Sequence, residues 1–144
     1  MYETRAFNQV YGAISPDGRR IAYASDESGK FDVYVDSFPK PGSRIRVTTA
    51  GGTEPRWRSD GAELYFRRGS EIHAAVISTP SQPSAAGVAS INRLFDAGVA
   101  VRSYDVGSDG RFLLNLPANM PTQSSISIVH HWTDSPTRQQ ATPR

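Results

Sequence analysis

Cysteine is absent from this 144-residue chain. Its absence excludes disulfides, thiolate metal sites and cysteine nucleophiles, but it leaves the compartment open because exported proteins can also lack cysteine. No apolar run approaches the roughly 18 residues that a membrane span requires. The first eight residues show no basic region followed by an apolar one, so we expect no signal peptide and no membrane insertion by this chain.

Strong charge of either sign is also absent. The net charge is +2 and the pI is about 9.1, which reflects a small excess of bases. The most arginine-rich stretch, residues 44–68, mixes its six arginines with three carboxylates. A nucleic-acid-binding surface requires a continuous basic face. We therefore expect no nucleic-acid partner.

A turn that recurs three times is the most informative feature present. Each copy places Asp-Gly between a short apolar-leaning run and a strongly apolar one, and the Asp residues are 43 and then 49 positions apart. A period in the forties with such a turn is typical of a β-propeller blade, one four-stranded sheet per repeat. A tight hairpin needs a residue at positive φ, which glycine accepts freely. The predicted structural turn residues are Asp17, Gly18, Asp60, Gly61, Asp109 and Gly110.

Alignment on these turns brings the predicted strands of the repeats into register. The innermost strands are expected at 11–14, 54–57 and 104–106, where small residues suit the tight space near a propeller axis. The second strands are expected at 20–24, 63–66 and 112–114, the third at 31–35, 70–76 and 126–129, and the outer strands at 44–48 and 91–95. In this alignment Tyr34 superposes on His73. Residues 78–90 are predicted to form a low-complexity loop inserted in the second repeat.

The sequence therefore predicts an all-β fold of three consecutive four-stranded antiparallel β-propeller blades, a partial propeller, over residues 1–132. The blades are expected at about 10–49, 53–96 and 103–132. Residues 133–144 are polar and contain proline, and we predict a disordered tail there.

The run from Ala13 to Tyr23 resembles the repeat signature of TolB-type bacterial propellers, which are related to the WD repeat. Several segments are similar to the C-terminal propeller of some bacterial serine/threonine protein kinases, namely 25–29, 32–35, 38–39, 51–58, 104–106, 109–113 and 127–129. The resemblance covers about residues 5 to 132, without a kinase domain. It implies a sensing or interaction module, extracytoplasmic if the chain derives from a membrane-anchored kinase and cytoplasmic otherwise.

Catalytic motifs are missing from the sequence. The kinase loops and the Gly-x-Ser-x-Gly elbow of hydrolases do not occur. His130 and His131 are adjacent, so on a strand they point to opposite faces and do not share an ion easily. Asp26 and Glu27 are interpreted as a solvated turn in preference to a cation site. We expect no enzyme activity, cofactor or metal.

Trp57 is the most attractive binding candidate because it lies between Arg56 and Arg58. An indole between two guanidiniums can stack on a base or hold an acidic peptide. Its inner-strand position, equivalent to Ile14 and Val106, favours a core indole instead. Arg56, Trp57 and Arg58 are kept as candidate binding residues.

The function predicted from the sequence is a non-catalytic module that binds a protein or peptide, within a bacterial signalling system. The alternatives are the propeller portion of a peptidase-like hydrolase and a truncated fragment without independent function. The run 3–7 resembles an outer strand left over from a preceding blade, and the last repeat has no obvious fourth strand. Two copies that exchange this strand would close a six-bladed ring, so a homodimer is a further expectation, with an open monomeric fragment as the alternative.

Overall fold

The structure is a computed structural model that describes residues 7–78 and 87–117 and the backbone of 128–129. Several expectations fall on other parts of the chain. The N-terminal strand (except Phe7), the C-terminal tail, the middle of the inserted loop, Trp132 and the two adjacent histidines all lie outside the described residues.

The described residues form eleven strands and no helix. The first antiparallel sheet contains, in spatial order, β1 (Gln9–Ile14), β2 (Arg20–Ser25), β3 (Asp32–Ser37) and β4 (Ile45–Arg46). The second contains β5 (Thr53–Trp57), β6 (Glu63–Arg68), β7 (Glu71–Ser78) and β8 (Gly87–Asp96). The third contains β9 (Ser103–Val106), β10 (Phe112–Asn115) and β11 (Ile128–Val129). The all-β prediction is confirmed for this part of the chain, with four-stranded antiparallel sheets in the first two repeats and three described strands in the last.

The strand registers repeat from sheet to sheet. Ile14 pairs with Ile21, Trp57 pairs with Leu64, and Val106 pairs with Phe112. Further along, Tyr23 faces Tyr34 in the first sheet while Phe66 faces His73 in the second. The predicted equivalence of Tyr34 and His73 is therefore confirmed, and any residue can be compared with its counterpart in the neighbouring repeat.

The three Asp-Gly turns share one hydrogen-bond pattern. In each, the glycine N–H donates to the carbonyl three residues earlier, at 2.8 Å in the first turn and 2.9 Å in the other two. The Asp carboxylate accepts from the N–H two residues later, at 3.1, 2.9 and 3.2 Å. Gly18, Gly61 and Gly110 have φ of 68°, 72° and 78°, which confirms the predicted positive φ. These are left-handed conformations that a Cβ disfavours.

Two hydrophobic layers hold the sheets together, one between each consecutive pair. Along β6 the side chains alternate, so Leu64 and Phe66 pack toward the first sheet and Tyr65 packs toward the third. The buried members of the first layer are Ala22, Val33, Val35, Val47, Leu64, Phe66, Ala75 and Ile77. Those of the second are Tyr65, Ile72, Ala74, Leu94, Val101, Tyr104, Phe112 and Leu114. We call these contacts the first seam and the second seam.

The predicted strand limits differ most from the structure in the two outer strands, β8 and β4. β8 begins at Gly87, within the stretch 78–90 that was expected to be a loop, because 87–90 continues the ladder with β7. The outer strand of the first sheet is only two residues long, Ile45–Arg46, although 44–48 was expected. Beyond it the pairing is irregular, because the N–H groups of Val47 and Thr48 both donate to the Val33 carbonyl oxygen, at 2.8 and 3.3 Å, while the Val33 N–H donates to Thr48 Oγ1 at 3.0 Å.

The first strand of the first sheet is exposed, although small residues there suggested a crowded inner position. Val10, Tyr11 and Ile14 are all exposed, and Ile14 lies on the side of β1 that no described sheet covers. None of the described residues forms a helix long and apolar enough to cross a membrane.

Candidate functional site

Arg20 and Trp57 close the first seam. The indole Nε1 of Trp57 donates to the carbonyl oxygen of Ala13 at 3.0 Å, which ties β5 to β1. The guanidinium carbon of Arg20 lies 4.6 Å from the centroid of the Trp57 ring, and Arg20 Nη2 donates to the carbonyl oxygen of Gly61 at 3.1 Å. Trp57 is half-buried, with one ring face covered by the guanidinium. It is therefore neither the fully buried core indole that was favoured nor an open stacking platform.

The structure does not bring Arg56, Trp57 and Arg58 together in one site. Successive side chains on a strand point to opposite faces. Arg56 turns to the third sheet, where its Nε lies 3.7 Å from a carboxylate oxygen of Asp105. Trp57 turns to the first sheet, and Arg58 lies at the mouth of a cavity in the second seam. A base or peptide stacked between the two guanidiniums has no platform in this arrangement.

A cavity of about 550 Å³ occupies the second seam at the level where Arg20 and Trp57 fill the first. The register explains it, because Val106 takes the repeat position of Trp57 and Glu63 takes that of Arg20. A valine leaves unfilled the volume that an indole occupies one sheet earlier. The residues lining the cavity are Arg58, Ser59, Asp60, Glu63, Tyr65, Ala74, Asn92, Leu94, Val106, Gly107, Ser108, Asp109, Gly110 and Phe112.

The lining combines buried aromatic and apolar side chains with exposed polar ones. Tyr65, Leu94 and Phe112 are buried, and the Tyr65 and Phe112 rings meet edge to face with their centroids 5.0 Å apart. The exposed part comes from the two Asp-Gly turns, which are joined where Ser59 Oγ donates to the carbonyl oxygen of Ser108 at 3.3 Å. Charged and polar side chains are therefore as prominent in the lining as apolar ones.

Glu63 is the centre of the polar network in the cavity. Its Oε2 accepts from Arg58 Nη1 at 3.2 Å and from the Tyr65 hydroxyl at 3.3 Å. Burial, together with the nearby Glu63 carboxylate, raises the pKa of Tyr65 to about 12. The Tyr65 hydroxyl therefore stays protonated at neutral pH and remains a donor to Glu63.

The cavity is acidic on balance. Its lining contains three carboxylates and one guanidinium, that of Arg58, whose Nε also lies 3.2 Å from Asp60 Oδ2. Asp109 is paired with Arg111, which compensates one of the carboxylates. The backbone N–H of Arg111 and then its side chain lower the pKa of Asp109, so that carboxylate is ionised at neutral pH.

A buried carboxylate in the first sheet is the other charged centre, and sequence reasoning missed it. Asp32 Oδ1 accepts from Thr48 Oγ1 at 2.8 Å and from the N–H of Gly51 at 2.9 Å. Its Oδ2 accepts from Ser28 Oγ at 2.7 Å and from Arg46 Nη2 at 2.6 Å. Burial by itself raises the pKa of Asp32, but these four bonds outweigh it and hold the pKa below the ordinary 3.8. The carboxylate fastens the start of β3 to the crossover between sheets, which is a structural role.

The side chains considered for metal or cation binding are bonded to other groups of this chain. Asp26 accepts from the N–H of Asn8 at 2.9 Å and from its amide at 2.6 Å, while Glu27 is paired with Arg44. His73 is buried, with Nε2 lying 3.0 Å from a Glu71 carboxylate oxygen. Within the described ranges no three His, Asp or Glu side chains are grouped closely enough to hold a metal ion.

Neither a protein-family model nor a curated protein matches this chain. The resemblance to TolB-type and kinase-attached propellers therefore stays a hypothesis that rests on the repeat motifs themselves.

Proposed function

We propose that this chain is a non-catalytic β-propeller module that binds a protein or peptide. The observation that carries the proposal is the open cavity of the second seam, at a position that the first seam fills with its own side chains. A cavity between two sheets, opened where the side chains differ from those of the neighbouring seam, is where a repeat scaffold can acquire a binding function.

The arrangement of the inner strands supports the partial propeller within this proposal. Successive first strands are bonded from one sheet to the next. Trp57 of β5 reaches Ala13 of β1, and the Tyr104 hydroxyl of β9 donates to the carbonyl oxygen of Glu54 in β5 at 2.7 Å. Neighbouring first strands are what radial repetition of blades around one axis requires.

We propose further that two copies of the chain associate to close a six-bladed ring. The side chains that would face a preceding and a following blade are uncovered. Ile14 is 53% exposed although its counterpart Trp57 is half-buried, and Leu113 is 52% exposed although its counterpart Tyr65 is buried. If the free face of the first sheet packed against the free face of the partner's third sheet, both side chains would be covered. In a two-fold dimer this contact forms twice.

The signalling context belongs to the same proposal and rests on the resemblance to kinase-attached propellers. A kinase reading frame immediately upstream in the genome would favour a sensing module. An adjacent hydrolase domain would favour the alternative, in which the propeller shields an active site on another segment.

Selection from a random peptide library tests the binding function. The intact protein is used as bait, and the matched control is Val106→Trp, which puts an indole where the cavity opens. We expect a set of related peptides that bind the natural chain and lose most of their affinity for Val106→Trp. Selection of no peptide above background, or of peptides indifferent to Val106→Trp, would contradict a binding role for this cavity.

A further inference from the structure

The first seam shows what kind of group fits between two neighbouring Asp-Gly turns. There the guanidinium of Arg20 lies on an aromatic ring and donates to the carbonyl oxygen of Gly61 in the next turn. The chain therefore contains, within its own fold, an arginine side chain bound in this location. Stacking on a ring face and donating to a backbone carbonyl are both contacts that a planar guanidinium makes well.

The second seam keeps the turn glycine of that arrangement but replaces both the arginine and the ring on which it lies, because Val106 stands at the position of Trp57. The turn glycine equivalent to Gly61 is Gly110, which lines the cavity. Aromatic surface is supplied by Tyr65 and Phe112. At the position from which Arg20 extends, the chain carries Glu63, so the charge is reversed.

The Glu63 carboxylate can accept a further hydrogen bond. Arg58 and Tyr65 both contact Oε2, and neither of these bonds uses Oε1. Arg58 is already shared between Glu63 and Asp60, and the lining has more carboxylates than guanidiniums. An acidic guest would meet this excess of negative charge, whereas a cation would be favoured by it.

We infer that the cavity of the second seam binds the side chain of an arginine in the partner peptide, with Glu63 as its main anion. This inference rests on the proposed function, because it names the residue type that the peptide presents. Arginine is preferred to lysine because a planar guanidinium can donate to the Glu63 carboxylate and the Gly110 carbonyl while it lies against the aromatic rings.

Small probes test the inference directly. N-acetyl-arginine amide is titrated into the ¹⁵N-labelled intact protein, and the amide signals of Ser59, Ser108 and Gly110 are followed by NMR. Citrulline, lysine and glutamate analogues are titrated in parallel, because citrulline has nearly the shape of arginine without its charge. We expect saturable shifts with arginine and about tenfold weaker binding of citrulline, as loss of one charge-assisted hydrogen bond implies.

Two substitutions test whether Glu63 is the carboxylate that binds the arginine. Glu63→Gln keeps the side-chain shape and should weaken arginine binding about tenfold, while Asp105→Asn, an exposed carboxylate outside the cavity lining, should leave it unchanged. Glu63→Gln is scored only after its amide spectrum shows a folded protein, and Val106→Trp provides a second, steric test. Equal binding of citrulline and arginine, stronger binding of the glutamate analogue, or an unaffected Glu63→Gln would overturn the inference.

The probes also separate this inference from the proposed function. Selected peptides that lack arginine but are blocked by Val106→Trp would refute the arginine preference and support peptide binding. Arginine amide that binds through Glu63, in a protein that selects no peptide, would support the site and refute the peptide function.

Discussion

Arg20 of the first sheet covers the ring of Trp57 of the second, with its guanidinium carbon 4.6 Å from the ring centroid. The pair belongs to repeat positions that recur along the chain. At the same positions of the next seam stand Glu63 and Val106, and a cavity opens there. Two side chains thus decide whether the space between neighbouring turns is filled or open.

The Arg20–Trp57 contact should appear as a coupling in a double-mutant cycle. Arg20→Met and Trp57→Leu should each lower the free energy of unfolding. We expect the double variant to lose about 0.5–1 kcal/mol less than the two single losses added together, because a partly exposed cation–π pair contributes about that much. Urea denaturation followed by circular dichroism measures it. Arg19→Met, an exposed neighbour, should show no coupling with Trp57→Leu.

The turn glycines should tolerate alanine poorly. Gly18→Ala and Gly110→Ala should each lower the free energy of unfolding by about 1–2 kcal/mol, since both residues have left-handed φ and a Cβ there meets no atom within 4 Å that could compensate or clash. Gly12→Ala is the matched control. Its φ is outside the left-handed region and its Cβ would only meet Ile21 at 3.8 Å, so it should be neutral or mildly stabilising. Equal losses at all three positions would contradict the role of φ.

Removal of the Asp32 charge should destabilise the first sheet. Asp32→Asn leaves Thr48, Gly51 and Arg46 without their carboxylate. We expect the free energy of unfolding to fall by about 3 kcal/mol. This is at the lower end for a broken buried ion pair, because the Arg46 side chain is 38% exposed. Thermal and urea unfolding measure it. Asp105→Asn, whose side chain is 75% exposed, should change stability little.

The same carboxylate should contribute to acid denaturation. The folded pKa of Asp32 lies below 3.8, so its stabilisation is present above that pH and is lost as the pH falls through the folded value. As the pH falls below 4, the free energy of unfolding of the natural chain should therefore decrease more than that of Asp32→Asn. Parallel pH curves for the two proteins would mean that the Asp32 hydrogen bonds do not favour the ionised form.

The proposed ring predicts the oligomeric state. Static light scattering should give the intact protein twice its 15.7 kDa chain mass, and Ile14→Lys or Leu113→Lys should halve it, because each puts a charge on a face that the partner would cover. Ser90→Lys, on the exposed part of the outer strand β8, is the control. Deletion of residues 1–8 tests whether the predicted strand 3–7 takes part. A natural chain that is monomeric, soluble and cooperatively folded would rule the ring out.

The sequence by itself determined the antiparallel order of neighbouring strands and the conformation of the turns. These features are local, because a strand follows from consecutive apolar residues, and a left-handed turn follows from glycine at one position. For that reason Gly18, Gly61 and Gly110 and the equivalence of Tyr34 with His73 could be predicted. The short fourth strand of the first sheet could not, because regular pairing ends where the Val33 N–H donates to the Thr48 side chain and the Val33 carbonyl accepts from both Val47 and Thr48.

Only the tertiary structure decided which side chains meet across the seams. Trp57 and Ala13 are 44 residues apart and Arg20 and Gly61 are 41 apart, so no local pattern couples them. The replacement of a tryptophan by Val106 is readable in the aligned repeats. Whether that replacement leaves a cavity depends on which side chains of the facing sheet reach the same place, and those are far apart in the sequence.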